Sequence, residues 1–124
     1  MGGRGGEGGP GGRGGRGPQL KERLREDALK VLALSQEEAA VVTPRLDTVL
    51  ETRDLTQREA QRAREEFMTK VRETADQAAL QKLLADYRTA RESGKSQEKT
   101  AMDGLRELLT VEQEAKLVGL GILD

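Results

Sequence analysis

Apolar residues recur along this chain at spacings of three and four from Leu20 onward, with polar residues filling the positions between them. That spacing marks amphipathic helices, and the strict alternation of half-buried strands is absent. Leu20, Leu24, Ala28 and the pair Val31–Leu32 form one stripe, opposite Lys21, Glu22, Arg23, Arg25, Glu26 and Asp27. Ala39, Val42, Leu46, Val49 and Leu50 form a second. A third runs through Ala60, Ala63, Phe67, Val71 and Ala75 and continues with Leu80, Leu83, Leu84 and Tyr87. Its phase slips near Thr74–Gln77, where either a stutter or a short break fits and Asp76 can cap a fresh start. Ser93-Gly94 reads as a stop, with Gly94 at the C-cap. A further helix is predicted from about Ser96 through Ala101, Met102, Leu105 and Leu108 to Leu109, and a last short one from Val111 to about Val118. The apolar, glycine-broken end, Gly119 to Asp124, is expected to fold back onto the bundle as an irregular strip. Pro44 removes one backbone hydrogen bond and crowds the carbonyl four residues back. It predicts a kink near Ala40–Thr43 or, alternatively, a new helix start. The predicted fold is all-α, a bent long helical hairpin with short flanking helices.

Three places carry the same helix-start phrase: Leu34-Ser35-Gln36-Glu37-Glu38, Leu55-Thr56-Gln57-Arg58-Glu59 and Leu109-Thr110-Val111-Glu112-Gln113. Each is a capping box. The Ser or Thr side chain accepts the N3 backbone N–H, and the N3 Glu or Gln reaches back to the N-cap N–H. Ala39 and Ala60 follow the first two boxes at the position that can staple to the preceding Leu, whereas Glu114 follows the third. Three helix starts are thus expected, at Ser35, Thr56 and Thr110.

Composition divides the chain of 124 residues in two. Residues 1–18 hold 11 of the 15 glycines, two of the three prolines, and Arg4, Arg13 and Arg16 against Glu7. With no apolar side chain beyond Met1, they read as a disordered tail. Residues 19–124 read as one helical domain and carry 18 basic against 21 acidic residues, close to neutral, which does not favour strong nonspecific binding to nucleic acid or an anionic membrane. One Phe, one Tyr and no Trp leave a thin Leu/Val/Ala core. A body of this size in long helices buries surface poorly alone, so a homodimer is expected.

The chain has no Cys and no His. Disulfide and thiolate chemistry are excluded, and the commonest metal ligand and general base are missing. Carboxylates interleave with Arg and Lys at helical i,i+4 spacing, as in Arg62–Glu66, and read as a solvated face of weak ion pairs. No enzyme, cofactor, metal site or small-molecule substrate is predicted. No apolar run is long enough to span a membrane. The Gly-Arg tail invites an RNA reading, but three Arg without an aromatic supply little charge and no stacking, so nucleic acid is not the expected partner and a flexible spacer is. The apolar end from Leu105 to Leu123 is dense for its length. It reads mainly as core, with a groove for a partner helix or unfolded client as the alternative.

The boxes at Ser35 and Thr110, the latter a literal Leu-Thr-x-x-Gln, flank a long charged middle, and over about residues 20–124 this layout resembles the Spy/CpxP-like helical proteins of the bacterial envelope. The resemblance implies bent helical hairpins paired as a curved antiparallel dimer, and export, although no leader is legible and a cytoplasmic location is the alternative. It implies non-enzymatic polypeptide binding, either as an ATP-independent holdase chaperone or as a stress-response modulator. An adaptor docking on a membrane sensor or anti-sigma system is the competing reading, and an RNA-associated protein led by the Gly-Arg tail is the third. Metal-linked members use histidine ligands, which this chain lacks. The first box carries Ser35 and Glu38 in place of Thr and Gln, which preserves the cap. The candidate partner-binding residues are Phe67, Val71, Leu83, Tyr87, Leu105 and Leu108, with a basic rim expected to suit acidic, partly unfolded clients.

Overall fold

The computed structural model describes residues 20–124, and the Gly-rich segment read as a tail lies outside them. Among the described residues the protein has four helices and no strand: α1 (20–32), α2 (Gln36–Glu73), α3 (Gln77–Arg106) and α4 (Val111–Gly119). The architecture is all-α, built on one long hairpin. Arg53 meets Met102, Thr56 meets Glu98, and Phe67 meets Tyr87, so residue numbers fall on α3 as they rise on α2 and the two helices run antiparallel.

Two of the three capping boxes form as the sequence predicts. At Ser35 the hydroxyl accepts the Glu38 N–H at 3.1 Å, and the Glu38 carboxylate accepts the Ser35 N–H at 3.0 Å. At Thr110 the reciprocal distances to Gln113 are 3.1 and 2.9 Å. The hairpin turn is Thr74–Asp76, and Asp76 caps α3 by accepting the Ala79 N–H at 2.9 Å, which resolves the phase slip as a break. At the end of α4, the Ile122 N–H bonds back to the Leu117 carbonyl and the Gly121 N–H to that of Val118, both at 3.0 Å. This is the paired closure of a Schellman motif, and Gly121 supplies its left-handed residue at φ 82°. The equivalent position after α1 is Ala33, at φ 48°, where a Cβ makes the left-handed conformation costly.

Two sequence expectations are corrected. Thr56 is not a helix start: α2 runs unbroken through it, and its hydroxyl lies buried against α3, its one proton within reach of the Glu98 carboxylate and the Arg53 carbonyl. Leu55 and Glu59 are exposed mid-helix residues. The inward stripe Leu46, Val49, Arg53, Thr56, Ala60, Ala63, Phe67 keeps one phase across the box, and packing along that stripe overrides the local capping signal. Nor do Ser93-Gly94 end a helix. They lie inside α3, where Gly94 faces Thr56 closely enough that an added Cβ would sit 3.8 Å from the Thr56 Cβ. The segment predicted to start near Ser96 is the second half of the same helix, which ends at Arg106. Pro44 lies inside α2, as the reading of an internal proline expects, and the alternative of a new helix start does not hold. It is exposed within continuous α2, and the burial of Val42, Leu46 and Val49 on either side holds the helix through the lost hydrogen bond.

Burial is concentrated at one end of the hairpin. The buried apolar residues are Ala28 and Leu32 of α1, Val42, Leu46, Val49 and Leu50 of α2, Met102 and Leu105 of α3, Leu117 of α4, and Ile122 and Leu123 beyond it. The C-terminal strip therefore folds back into the core, as predicted. Arg53 holds it there, donating to the Gly121 carbonyl at 2.7 Å and to the Ile122 carbonyl at 2.6 Å. Arg25 of α1 pairs with Asp47 of α2 at 2.6 Å, a contact that raises the guanidinium pKa further. From Gln57 to Ala101 no residue is buried. The protein is thus a compact base from which a bare two-helix arm extends for about 25 Å at 1.5 Å per residue.

Candidate functional site

The arm is held in register by a single aromatic pair. Phe67 and Tyr87 stack at 4.5 Å between centroids with a 12° interplanar angle. Arg91, one turn along α3, places its guanidinium 6.0 Å from the Tyr87 ring centre, within cation–π range. Val71 and Leu83 flank this stack on the same inward stripe and, like Phe67 and Tyr87, remain half-buried. A third layer that would finish burying them is missing, because α1 and α4 contribute buried residues only at the base. Met68 and Leu84 stand beside the stripe at 47% and 38% exposure, which makes the apolar band wider than the contact between the two helices.

Toward the base the arm opens into a groove of about 510 Å³. Its floor is made of small residues, Ala60 and Ala63 of α2 with Ala90 and Gly94 of α3, and it closes where buried Thr56 meets half-buried Glu98. Short side chains let the helices approach but leave nothing to fill the space above them. The rim carries Arg91 and Lys95 on α3 together with Glu59 and Glu98. Both signs are present, so the expected basic rim is replaced by a mixed one. Arg58 pairs with Asp54 at the foot of the arm, and farther out Lys82 pairs with Asp86 at 3.0 Å, i,i+4 pairs on a solvated face.

The six residues singled out from sequence thus fall in three places. Phe67, Val71, Leu83 and Tyr87 come together on the arm. Leu105 is completely buried in the base and belongs to the core, not to a binding surface. Leu108, 36% exposed, lies at the opposite end of the molecule from the hairpin turn, lining a small pocket of about 270 Å³ with Leu34, Val41 and Val42. Sequence reasoning missed Val41, 54% exposed. The available signal was that it sits off the stripe defined by Ala39, Val42, Leu46 and Val49, so its apolar side chain has no core to enter. Among the described residues no cluster of carboxylates has metal-binding geometry, and no helix is long and apolar enough to cross a membrane.

Fold and site together define a helical-hairpin protein with an unfilled apolar arm. Neither a family model, nor a curated protein, nor a solved structure matches the chain.

Proposed function

We propose that this is a non-enzymatic, ATP-independent polypeptide-binding protein that takes partly unfolded chains on its two-helix arm. One observation carries the reading: between Gln57 and Ala101 an apolar stripe is built into two helices and left half-exposed. Such a stripe has surface to bury, and a transiently exposed apolar segment of another chain supplies what it lacks. Charged residues of both signs along its margins keep the arm hydrated and add weak, salt-sensitive contacts. The paired boxes at Ser35 and Thr110 flanking a long charged hairpin agree with the Spy/CpxP-like resemblance, and with it an exported location and a role in envelope stress. A two-helix layer also has two broad sides. We propose that a second copy covers one of them, giving a homodimer, and leaves the other for client.

The test is suppression of aggregation of two unrelated denatured proteins, with chelator present and ATP absent. Protection is expected at equimolar or modest excess, weakening with salt. It should fall several-fold in the Met68→Ser/Leu84→Ser variant, whose substitutions lie at exposed positions and leave the base intact. Failure of the protein to protect either client at several-fold molar excess refutes the holdase reading. Light scattering that gives a single-chain mass at micromolar concentration refutes the dimer.

A further inference from the structure

Both capping turns that form, at Ser35 and at Thr110, meet at the base. Leu34 precedes the first and Leu108 lies just before the second, and with Val41 and the buried floor of Val42 they line one open apolar pocket. At about 270 Å³ it is smaller than a typical small-molecule site (about 300–1,000 Å³) and has the size to take one or two apolar side chains. Among the described residues its charged lining is Glu37 and Glu38, both acidic, in the first turn of α2. Glu38 is held in place by accepting the Ser35 N–H. In the first turn of α4, Glu112 is paired with Lys116 at 3.4 Å and Glu114 with Arg106 at 3.3 Å. Among the described residues, Glu37 and Glu38 are left without a cationic partner against two helix N-termini of about half a positive charge each, a net negative site. The adjacent cation is Arg45, four residues beyond Val41 on α2, whose guanidinium crosses Gly104 so closely that a Cβ there would come within 2.8 Å of it. It stands one turn along α2 from Val41, outside the residues that line the pocket and farther along the helix than the acidic turn.

We infer that this pocket is a second docking site, separate from the arm, for an apolar side chain carried on a basic polypeptide segment. The inference deepens the polypeptide-binding reading by naming the partner chemistry. Charge complementarity carries the choice: a lysine or arginine beside the apolar anchor meets Glu37 and Glu38, whereas an acidic neighbour meets repulsion there. The anchor enters between Val41 and Leu108, and the partner's basic residues lie toward the start of α2, away from Arg45.

The experiment uses the full chain and two labelled helical peptides with the same leucines at i, i+3 and i+7, one carrying lysine and the other glutamate at the remaining positions, read by fluorescence anisotropy at low and high salt. The lysine peptide is expected to bind about three- to ten-fold more tightly at low salt, the size of two exposed ion pairs, and high salt should narrow the gap. Glu37→Gln/Glu38→Gln, which keeps a glutamine able to complete the capping box, should abolish the preference. Arg45→Gln should strengthen lysine-peptide binding. Val41→Ser/Leu108→Ser should weaken binding of both peptides at unchanged helicity. Equal affinity for the two peptides overturns the inference, as does a preference that survives in the Gln variant. Binding lost only in Met68→Ser/Leu84→Ser overturns it while leaving the arm reading intact. Absence of binding by either peptide also overturns it, and the aggregation assay then decides the arm reading separately. A dimer that dissociates in Val41→Ser/Leu108→Ser, without peptide binding, overturns it in favour of a second copy as occupant.

Discussion

Replacing Gly94 by alanine should stabilise the protein, and the sign of the effect is the informative part. Gly94 lies in the interior of α3, with twelve helical residues still to follow it before the helix ends at Arg106. Its φ is not in the left-handed region, and an added Cβ would meet only the Thr56 Cβ, at 3.8 Å, an ordinary van der Waals contact. Alanine therefore brings no strain. It restores the helix propensity that glycine forfeits, about 0.8–1.0 kcal/mol, in part by narrowing the unfolded ensemble. For a body of this size that corresponds to a rise of roughly 4–8 °C in Tm. Circular dichroism melting and urea titration should show the higher midpoint with an unchanged urea m-value. If α3 instead stopped at Ser93-Gly94, as the local sequence suggests, Gly94 would occupy a left-handed cap and alanine would cost about 1–2 kcal/mol. A fall in Tm would thus refute the continuous helix. Gly121→Ala is the internal control: Gly121 does hold a left-handed φ of 82°, so the same substitution there should destabilise by that amount.

Ser35→Ala and Thr110→Ala each remove a hydroxyl that accepts an N3 backbone N–H at 3.1 Å, and each should lower stability by about 1 kcal/mol; an unchanged urea midpoint in either would refute the cap. Acid should weaken the end of α3. Asp103 accepts from Lys99 and from Arg106, each at 2.8 Å, and these contacts, the Lys99 hydrogen bond foremost, hold its carboxyl below the ordinary aspartate range. A lowered folded pKa means that the contribution is present above the unfolded value and is lost as pH falls through the folded one, below about pH 4. Asp103→Asn should flatten that acid limb of the stability profile, and a limb of unchanged slope would count against the assignment.

Helical class, the outer two boxes, the Asp76 cap and the return of the C-terminal strip were all legible because each is written in contiguous residues. The errors share one cause. Thr56 and Gly94 carry strong local signals for starting or stopping a helix, yet each lies where apolar or small residues continue in phase on both sides. Which signal prevails depends on the facing helix, and nothing near Thr56 in the sequence announces Glu98, just as nothing near Arg53 announces the carbonyls of Gly121 and Ile122. The candidate site was legible in kind, through Phe67, Val71, Leu83 and Tyr87, but not in register, which follows from the turn at Thr74–Asp76. Leu105 and Leu108 looked equivalent, three apart in a dense apolar run. The packing of α1 and the C-terminal strip buries the first and leaves the second at the surface.

The division between base and arm makes resistance to opening uneven along the molecule. Contacts that close the base join residues far apart in sequence, as from Arg53 to Ile122 or from Lys116 to the Val31 carbonyl, so they are released together or not at all. Arm contacts are local, close around a three-residue turn, and bury nothing completely. Amide protons from about Gln57 to Ala101 can therefore exchange through small separations of two helices, at a fraction of the global unfolding free energy, while those of Leu46, Leu105 and Leu117 wait for the whole base to open. Two helices that part and re-zip without unfolding the rest can adjust the width of the apolar stripe they present, while the base stays closed.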